Sequence, residues 1–258
     1  MLAALALGAC SRQVQVATAP AQPATRDPAI TSADVLLDSM RARYAGKWFR
    51  NITFVQTSTY FRPDGSTSRV ETWYEAAALP GRLRIDLGDL AKRNGVLYRG
   101  DSVYQVQNGE VTDRRVGTNP LLVLAFDVYA QPAAKTLEQL RRLGFDVGVL
   151  HIDSLGGKRM YVVGAGPRDS TTNQFWIEAD RFLFTRLIQT DQRGRTQDIL
   201  FEEYAQHGGG WVAEVVRFFR EGRMFFLEEY SGVRVNVALD DNLFLPERWT
   251  SATHWHTP

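Results

Sequence analysis

The chain of 258 residues has a single cysteine, Cys10, and therefore cannot close an internal disulfide. Its longest uncharged apolar run covers residues 1–9, well short of the ~18 residues that a membrane-crossing helix needs. Charge of one sign is also missing: 30 Lys and Arg stand against 29 Asp and Glu, and no basic run exceeds two residues. That balance leaves no electrostatic footprint for nucleic acid or another polyanion. Only four of the cations are Lys; the arginines are spread evenly and reflect coding composition rather than a site. What is present is a folding chain, 44% apolar and 23% charged, close to the globular average. Disorder and a multi-span membrane architecture are excluded as descriptions of the whole. The length suits one large all-β or α/β domain, or two small ones.

The apolar run ends in Leu7-Gly8-Ala9-Cys10-Ser11. Leu three positions before Cys10, with small residues between, resembles the bacterial lipobox, whose cysteine is acylated on sulfur before the signal is cleaved. Residues 1–9 are then a lipoprotein signal remnant and Cys10 the lipidation site. No Lys or Arg precedes the run, so translation is expected to start upstream of Met1. Residues 10–30 contain Ala17, Ala19, Pro20, Ala21, Pro23, Ala24 and Pro28 and no repeating apolar face, the pattern of a flexible tether. Extended at ~3 Å per residue, such a tether holds a folded domain up to ~50 Å from a membrane. Ser11 rather than Asp after the cysteine points, by analogy with enterobacterial lipoproteins, to the outer membrane, facing the periplasm.

Thr31 and Asp34 form a capping-box pattern that opens a helix over 32–45, with Val35, Leu36, Met40 and Tyr44 at helical spacing and Gly46 as its stop. From Trp48 the apolar period drops to two. Strand-like runs at 49–61, 67–77, 82–87, 95–99, 102–107 and 110–116 alternate with Pro63-Asp64-Gly65, Pro80-Gly81, Gly100-Asp101 and Asn108-Gly109, the last being the strongest hairpin signal. Asn119 and Pro120 supply the cap and first turn of a second helix over 120–130, and a third covers 135–143 before Gly144. Strand runs resume at 147–153, 159–164, 174–178, 182–190, 198–204, 211–220 and 224–235. With some runs expected to merge or fail, the pattern predicts a mainly β antiparallel sheet of about 10–12 strands in one domain over 31–250, followed by a tail at 251–258. The runs at 182–188 and 211–219 are apolar on both faces, so both sides of the sheet must be covered. A strongly curved sheet wrapping short helices on its concave side meets that demand and makes an apolar hollow possible; periodicity alone equally admits an interior packed solid.

Candidate chemistry is sparse. Gly100-Asp101-Ser102 lacks the downstream Asp-x-x-His of a GDSL hydrolase, since Ser251 occupies that spacing before His254. Gly164-Ala165-Gly166 is followed by Pro167 and no helix, which makes it a turn rather than a dinucleotide loop. His254 and His256 fall short of the three or four ligands of a zinc site, with His151 and His207 isolated. The pairs Glu202-Glu203, Glu228-Glu229 and Asp240-Asp241 put neighbours on opposite faces of a strand and are expected at solvated edges or turns. The expectation is a protein without catalytic residues, metal or cofactor.

Taken in order, Trp73, Leu79-Pro80-Gly81-Arg82-Leu83-Arg84, the Gly100-Asp101 hairpin before Val103-Tyr104, Asn119-Pro120-Leu121-Leu122 and Gln174-Phe175-Trp176-Ile177 before Asp180 resemble the LolA/LolB-like outer-membrane lipoprotein-sorting family over residues 31–246. The resemblance implies an unclosed antiparallel β-barrel with helices as a lid, binding acyl chains of lipoproteins or other hydrophobic ligands without covalent chemistry. It places the candidate hollow at Ile52, Phe54, Trp73, Leu83, Ile85, Tyr104, Trp176, Phe184 and Phe218, with Leu121, Leu122 and Leu124 from the lid. Soluble carriers of the family hold an Arg just before the proline of the second turn, bonded to the lid. Leu79 stands there here, leaving Arg82 or Arg84 as substitutes. The implied role is a lipid-anchored periplasmic binding protein in lipoprotein sorting or outer-membrane biogenesis, a membrane-fixed acceptor rather than a shuttle. Its partners are acyl chains or a similar amphiphile, the membrane through its anchor, and a periplasmic protein. The alternative is an envelope-stress sensor or scaffold acting through protein contacts.

Overall fold

The computed structural model describes residues 30–191 and 193–256. Cys10, the signal remnant and the tether up to residue 29 lie outside the described residues. Helix α1 (Ala33–Arg43) comes first and is capped by Ser32, whose hydroxyl accepts from Val35 N at 3.3 Å; Ser32 thus takes the place expected of Thr31. Six strands follow: β1 (Asn51–Phe61), β2 (Thr67–Ala78), β3 (Arg82–Leu87), β4 (Gly95–Arg99), β5 (Ser102–Gln107) and β6 (Glu110–Val116). Helices α2 (Pro120–Ala125) and α3 (Ala133–Arg142) come next, separated by a 3₁₀ turn at Asp127–Tyr129. Seven strands complete the sheet: β7 (Leu150–Leu155), β8 (Lys158–Val163), β9 (Gln174–Glu178), β10 (Leu183–Thr190), β11 (Thr196–His207), β12 (Gly210–Arg220) and β13 (Arg223–Val235).

The strands form one 13-stranded antiparallel sheet, ordered β6-β5-β4-β3-β2-β1-β13-β12-β11-β10-β9-β8-β7. The count exceeds the expected 10–12 because none of the thirteen runs merged or failed. Several are joined by tight turns: at Asn108-Gly109 both residues have positive φ (53° and 85°), the backbone that a two-residue hairpin requires. The one long-range pairing, β1 with β13, joins Ile52 to Val235 and Tyr60 to Phe226. The sheet is strongly curved and does not close, since β6 and β7 remain as edges. On β6 every residue is exposed, and Glu110, Asp113, Arg114 and Arg115 discourage a further strand from pairing there.

The two faces are covered differently. On the concave side α1 and α3 bury Leu36, Leu37, Met40, Leu137 and Leu140 against Tyr161, Phe175, Phe184, Phe201 and Val216 of β8–β12. On the convex side the chain after β13 lies across β2–β5, packing Leu243, Phe244 and Trp249 on Ala76, Ala78, Leu97 and Val106. Beneath Trp249 runs a buried ion pair in which Arg84 Nε and Nη2 each donate to Asp86 at 2.8 Å, the guanidinium lying 3.7 Å from the indole centroid. Burial alone would raise the Asp86 pKa, but bonds from Arg84 and His254 outweigh it and hold the carboxyl below its usual value. The expected tail at 251–258 is therefore structured as far as it is described: His254 Nε2 lies 3.2 Å from Asp86, and Asp240 accepts from Thr253 N at 2.8 Å.

Gly95 marks how closely this strap approaches the sheet, because a Cβ there would fall 2.5 Å from Trp249 Cζ2. Trp249→Ala is expected to destabilise the domain by about 3–5 kcal/mol, the range for a large buried aromatic. Urea denaturation checks this; a loosely attached tail would leave the midpoint unchanged.

Candidate functional site

The concave hollow is filled unevenly. Helices α1 and α3 occupy the half above β8–β12, whereas the half above β1–β4, β12 and β13 is roofed only by α2 and Phe126. Six residues of helix cannot fill that span, and a cavity of about 260 Å³ remains beneath them. Its walls are Phe54, Trp73, Ala77, Leu83, Ile85, Phe218 and Phe226, with Leu121, Leu122 and Phe126 from above. Phe54 stacks on Tyr230 at 4.3 Å between centroids, which sets the floor. A wider groove of about 520 Å³ lies at the hairpin ends, but Arg62, Arg69, Arg220, Glu221 and Arg223 line it, so it is a charged surface cleft.

Of the residues expected to line a hollow, Phe54, Trp73, Leu83, Ile85, Leu121, Leu122 and Phe218 surround this cavity. The others lie elsewhere, for reasons of strand parity or of which half they occupy. Ile52 is buried beside the cavity, against Phe49 and Val212. Leu124 and Phe184 belong to the filled half. Trp176 alternates with Phe175 and Ile177 and so faces the convex side, packed on Met160 and Val162 with its Nε1 donating to Gln174 at 2.9 Å. Tyr104 pairs with Leu97 on that same outer face.

Four polar cavity residues escaped the sequence reading. Glu75 shares the strand face of Trp73 and Ala77 and so points inward, buried on the cavity wall. Glu228 is also buried there, which corrects its expected place at a solvated edge; only its neighbour Glu229 faces out. Tyr230 donates its hydroxyl to Glu228 at 2.7 Å. Tyr98 completes the set on β4. Burial pushes Glu75 well above the usual carboxyl range, with Glu228 adding repulsion, and pushes Glu228 up to about 7 against the opposing bonds from Tyr230 and Gln56.

The lid is fastened at two points. Tyr129 donates its hydroxyl to Phe182 O at 2.9 Å, and its ring stacks on Trp48 at 3.8 Å. Asp127 Oδ1 accepts from Gly81 N at 3.0 Å, tying the roof to the β2–β3 turn. Neither Arg82 nor Arg84 provides that tie. Both alternate with Leu83 and Ile85 and so face outward, Arg84 to Asp86 and Arg82 within 3.7 Å of Asp241. The bond to the lid thus keeps its donor on the turn, but the donor is the Gly81 backbone rather than an arginine side chain, and the acceptor is an acid on the lid. Burial pushes the Asp127 carboxyl up to about 7, while its bond from Gly81 pulls the other way, and Oδ2 has no partner among the described residues.

No protein-family model matches the sequence, and no curated protein does. Solved structures do match in shape. A DUF1329 family protein from Desulfovibrio piger superposes with a TM-score of 0.53 at 16% identity, over 82% of this chain and 95% of that one. A LolA superfamily protein from Nitrosomonas europaea gives 0.51 at 12% identity, over 81% and 96%. An outer membrane lipoprotein-sorting protein domain from Vibrio parahaemolyticus gives 0.56 at 11%, over 84% and 97%. At such identities the likeness is one of fold, and the fold is LolA-like, as the order of motifs implied.

The latch has a pH signature. The folded-state pKa of Asp127, about 7, exceeds its ordinary value of 3.8, so the folded chain keeps a proton that the unfolded chain releases. Stability is therefore expected to fall as pH rises from about 4 to about 7 and then to level off. Asp127→Asn, which keeps an acceptor for Gly81, should flatten part of that fall in urea denaturation at the two pH values. Asp127→Ala removes the acceptor, at a cost of ~1 kcal/mol, and should speed hydrogen exchange of the 121–130 amides about fivefold.

Proposed function

We propose that this chain is a lipid-anchored binding protein of the bacterial envelope that holds a lipoprotein acyl chain, or a similar hydrophobic ligand, non-covalently beneath α2. The observation that carries this reading is the apolar cavity of about 260 Å³ between a curved sheet and its thin roof. That size lies just below the ~300 Å³ at which small-molecule pockets begin, so it suits one chain rather than a bundle of three. Each methylene transferred from water contributes ~0.8 kcal/mol, and a dozen suffice to hold an acyl chain without any chemical step. The aromatic walls, Phe54, Trp73, Phe218 and Phe226, supply adaptable contact area for such a guest.

Acylation of Cys10 and the tether that follows would fix the domain near the outer membrane, facing the periplasm, which favours an acceptor over a shuttle. The likeness to a domain described as lipoprotein-sorting lends the role of sorting or outer-membrane biogenesis to this reading. The protein purified from bacterial membranes, extracted and analysed by lipid mass spectrometry, is expected to yield a stoichiometric acyl ligand. An empty domain that captures a periplasmic protein would instead support a sensor or scaffold. Ala77→Phe, which grows into the cavity from β2, should remove most of the bound lipid while leaving the thermal midpoint unchanged or raised. Undiminished lipid in that variant would place the ligand elsewhere.

A further inference from the structure

Among the described residues, the cavity wall holds two acids and no Lys, Arg or His. Glu75 is 7% exposed, sits between Phe54 and Ile85 in the strand register, and takes no side-chain hydrogen bond from any described group. Glu228, 8% exposed, reaches the same space from the far side of β1 and accepts only from its neighbours Tyr230 and Gln56. The other polar groups facing them are the hydroxyls of Tyr98 and Tyr230 and the amide of Asn119 at the start of α2. Arg115 of β6 acts on Tyr98 but does not line the cavity. Two carboxyls in an apolar hollow without a cation avoid the cost of buried charge by holding their protons, and they ionise there only for a guest that brings the missing charge and donors.

We infer that the cavity receives a cationic amphiphile: a single apolar chain whose polar end is a protonated amine, held by Glu75 and Glu228, with free fatty acids selected against. This rests on the hydrophobic-ligand reading above and adds the chemistry of the polar end. An ammonium offers three donors to Glu75, whose oxygens have no other partner, and to Glu228. A fatty-acid carboxylate would be a third acid in the same apolar space with no cation to pair it, and would have to take up a proton to enter. Both glutamates titrate above the ordinary carboxyl range, Glu228 at about 7, so a cation bound between them must displace protons near neutral pH.

Isothermal calorimetry on the full chain at pH 7, with dodecylamine and dodecanoate below their micelle concentrations and dodecanol below its solubility limit, tests this. Dodecylamine is expected to bind at least about tenfold more tightly than dodecanoate, since an opposite charge in contact shifts such equilibria by a unit of pKa or more. Its heat should also vary with the ionisation enthalpy of the buffer, reporting proton release, a readout that needs no mutation. Glu75→Gln combined with Glu228→Gln should abolish the preference and the proton release while dodecanol affinity is retained. Equal affinity for amine and acid, or amine binding without proton release, would overturn the inference and leave the hydrophobic-ligand reading standing. Failure of all three probes to bind, dodecanol included, would overturn that reading and the inference with it.

Discussion

The site depends on a mismatch between the span of the sheet and the helix available to cover it. Thirteen strands curve around three helices of 11, 6 and 10 residues, and the two longer ones pack over the same half. Where α1 and α3 lie, large side chains from helix and strand interdigitate and the hollow vanishes. Where only α2 lies, opposing walls are too far apart for Leu121 and Leu122 to bridge. In an engineered core, an empty volume costs ~24 cal/mol per Å³, which for about 260 Å³ sets a ceiling on the order of 6 kcal/mol. A chain that retains such a void gains stability whenever a guest fills it, and the filled half must be well packed to tolerate it empty.

The covering of the convex face follows from the same alternation that shapes the cavity. Residues of β2–β4 that do not face inward include Ala76, Ala78 and Leu97, an apolar strip that water would otherwise meet. The chain beyond β13 covers it with Leu243, Phe244 and Trp249, and the ion pair of Arg84 with Asp86 is buried by that covering. Because Leu83 and Ile85 on β3 face the cavity, the outer strap and the inner site share one strand and one alternation of side chains.

Strand positions were legible because most of the hairpin turns carry a residue signature, and five of the runs, including 82–87 and 174–178, coincide with the strands at both ends. The cavity was not legible, since Leu124 and Phe184 in the filled half show the same apolar alternation as Phe54 and Leu83 in the open one. Only the packing of α1 and α3 distinguishes them. Trp176 and Tyr104 show the other weakness: in strands apolar on both faces, aromaticity does not say which face is inward. Glu75 could have been found, because an acid at the inward position between Trp73 and Ala77 breaks the pattern. Glu228 was hidden by its neighbour Glu229, as two adjacent acids look like a solvated edge. The strap escaped because Leu243, Phe244 and Trp249 sit on 3₁₀ turns without a period to read.

The buried acids and the fastened lid point to the same trade between stability and use. Asp127, Glu75 and Glu228 each lose hydration on folding, and none is neutralised by an ion pair. A domain selected for stability alone would replace them with apolar groups of like volume. Glu75 and Glu228 line the cavity and Asp127 ties its roof to the β2–β3 turn, whereas the polar groups buried with α3 in the filled half satisfy one another, Gln131 donating to Thr136 and Gln139. The roof helix is itself short, six residues capped by Asn119, which accepts from Leu121 N at 2.9 Å. A helix of that length has little stability of its own and owes its place to contacts at its ends. Its C-terminal end is pinned to the rigid half through Tyr129 and to the β2–β3 turn through Asp127, while its N-terminal end has the Asn119 cap, and so the roof of the cavity is fastened mainly at one side.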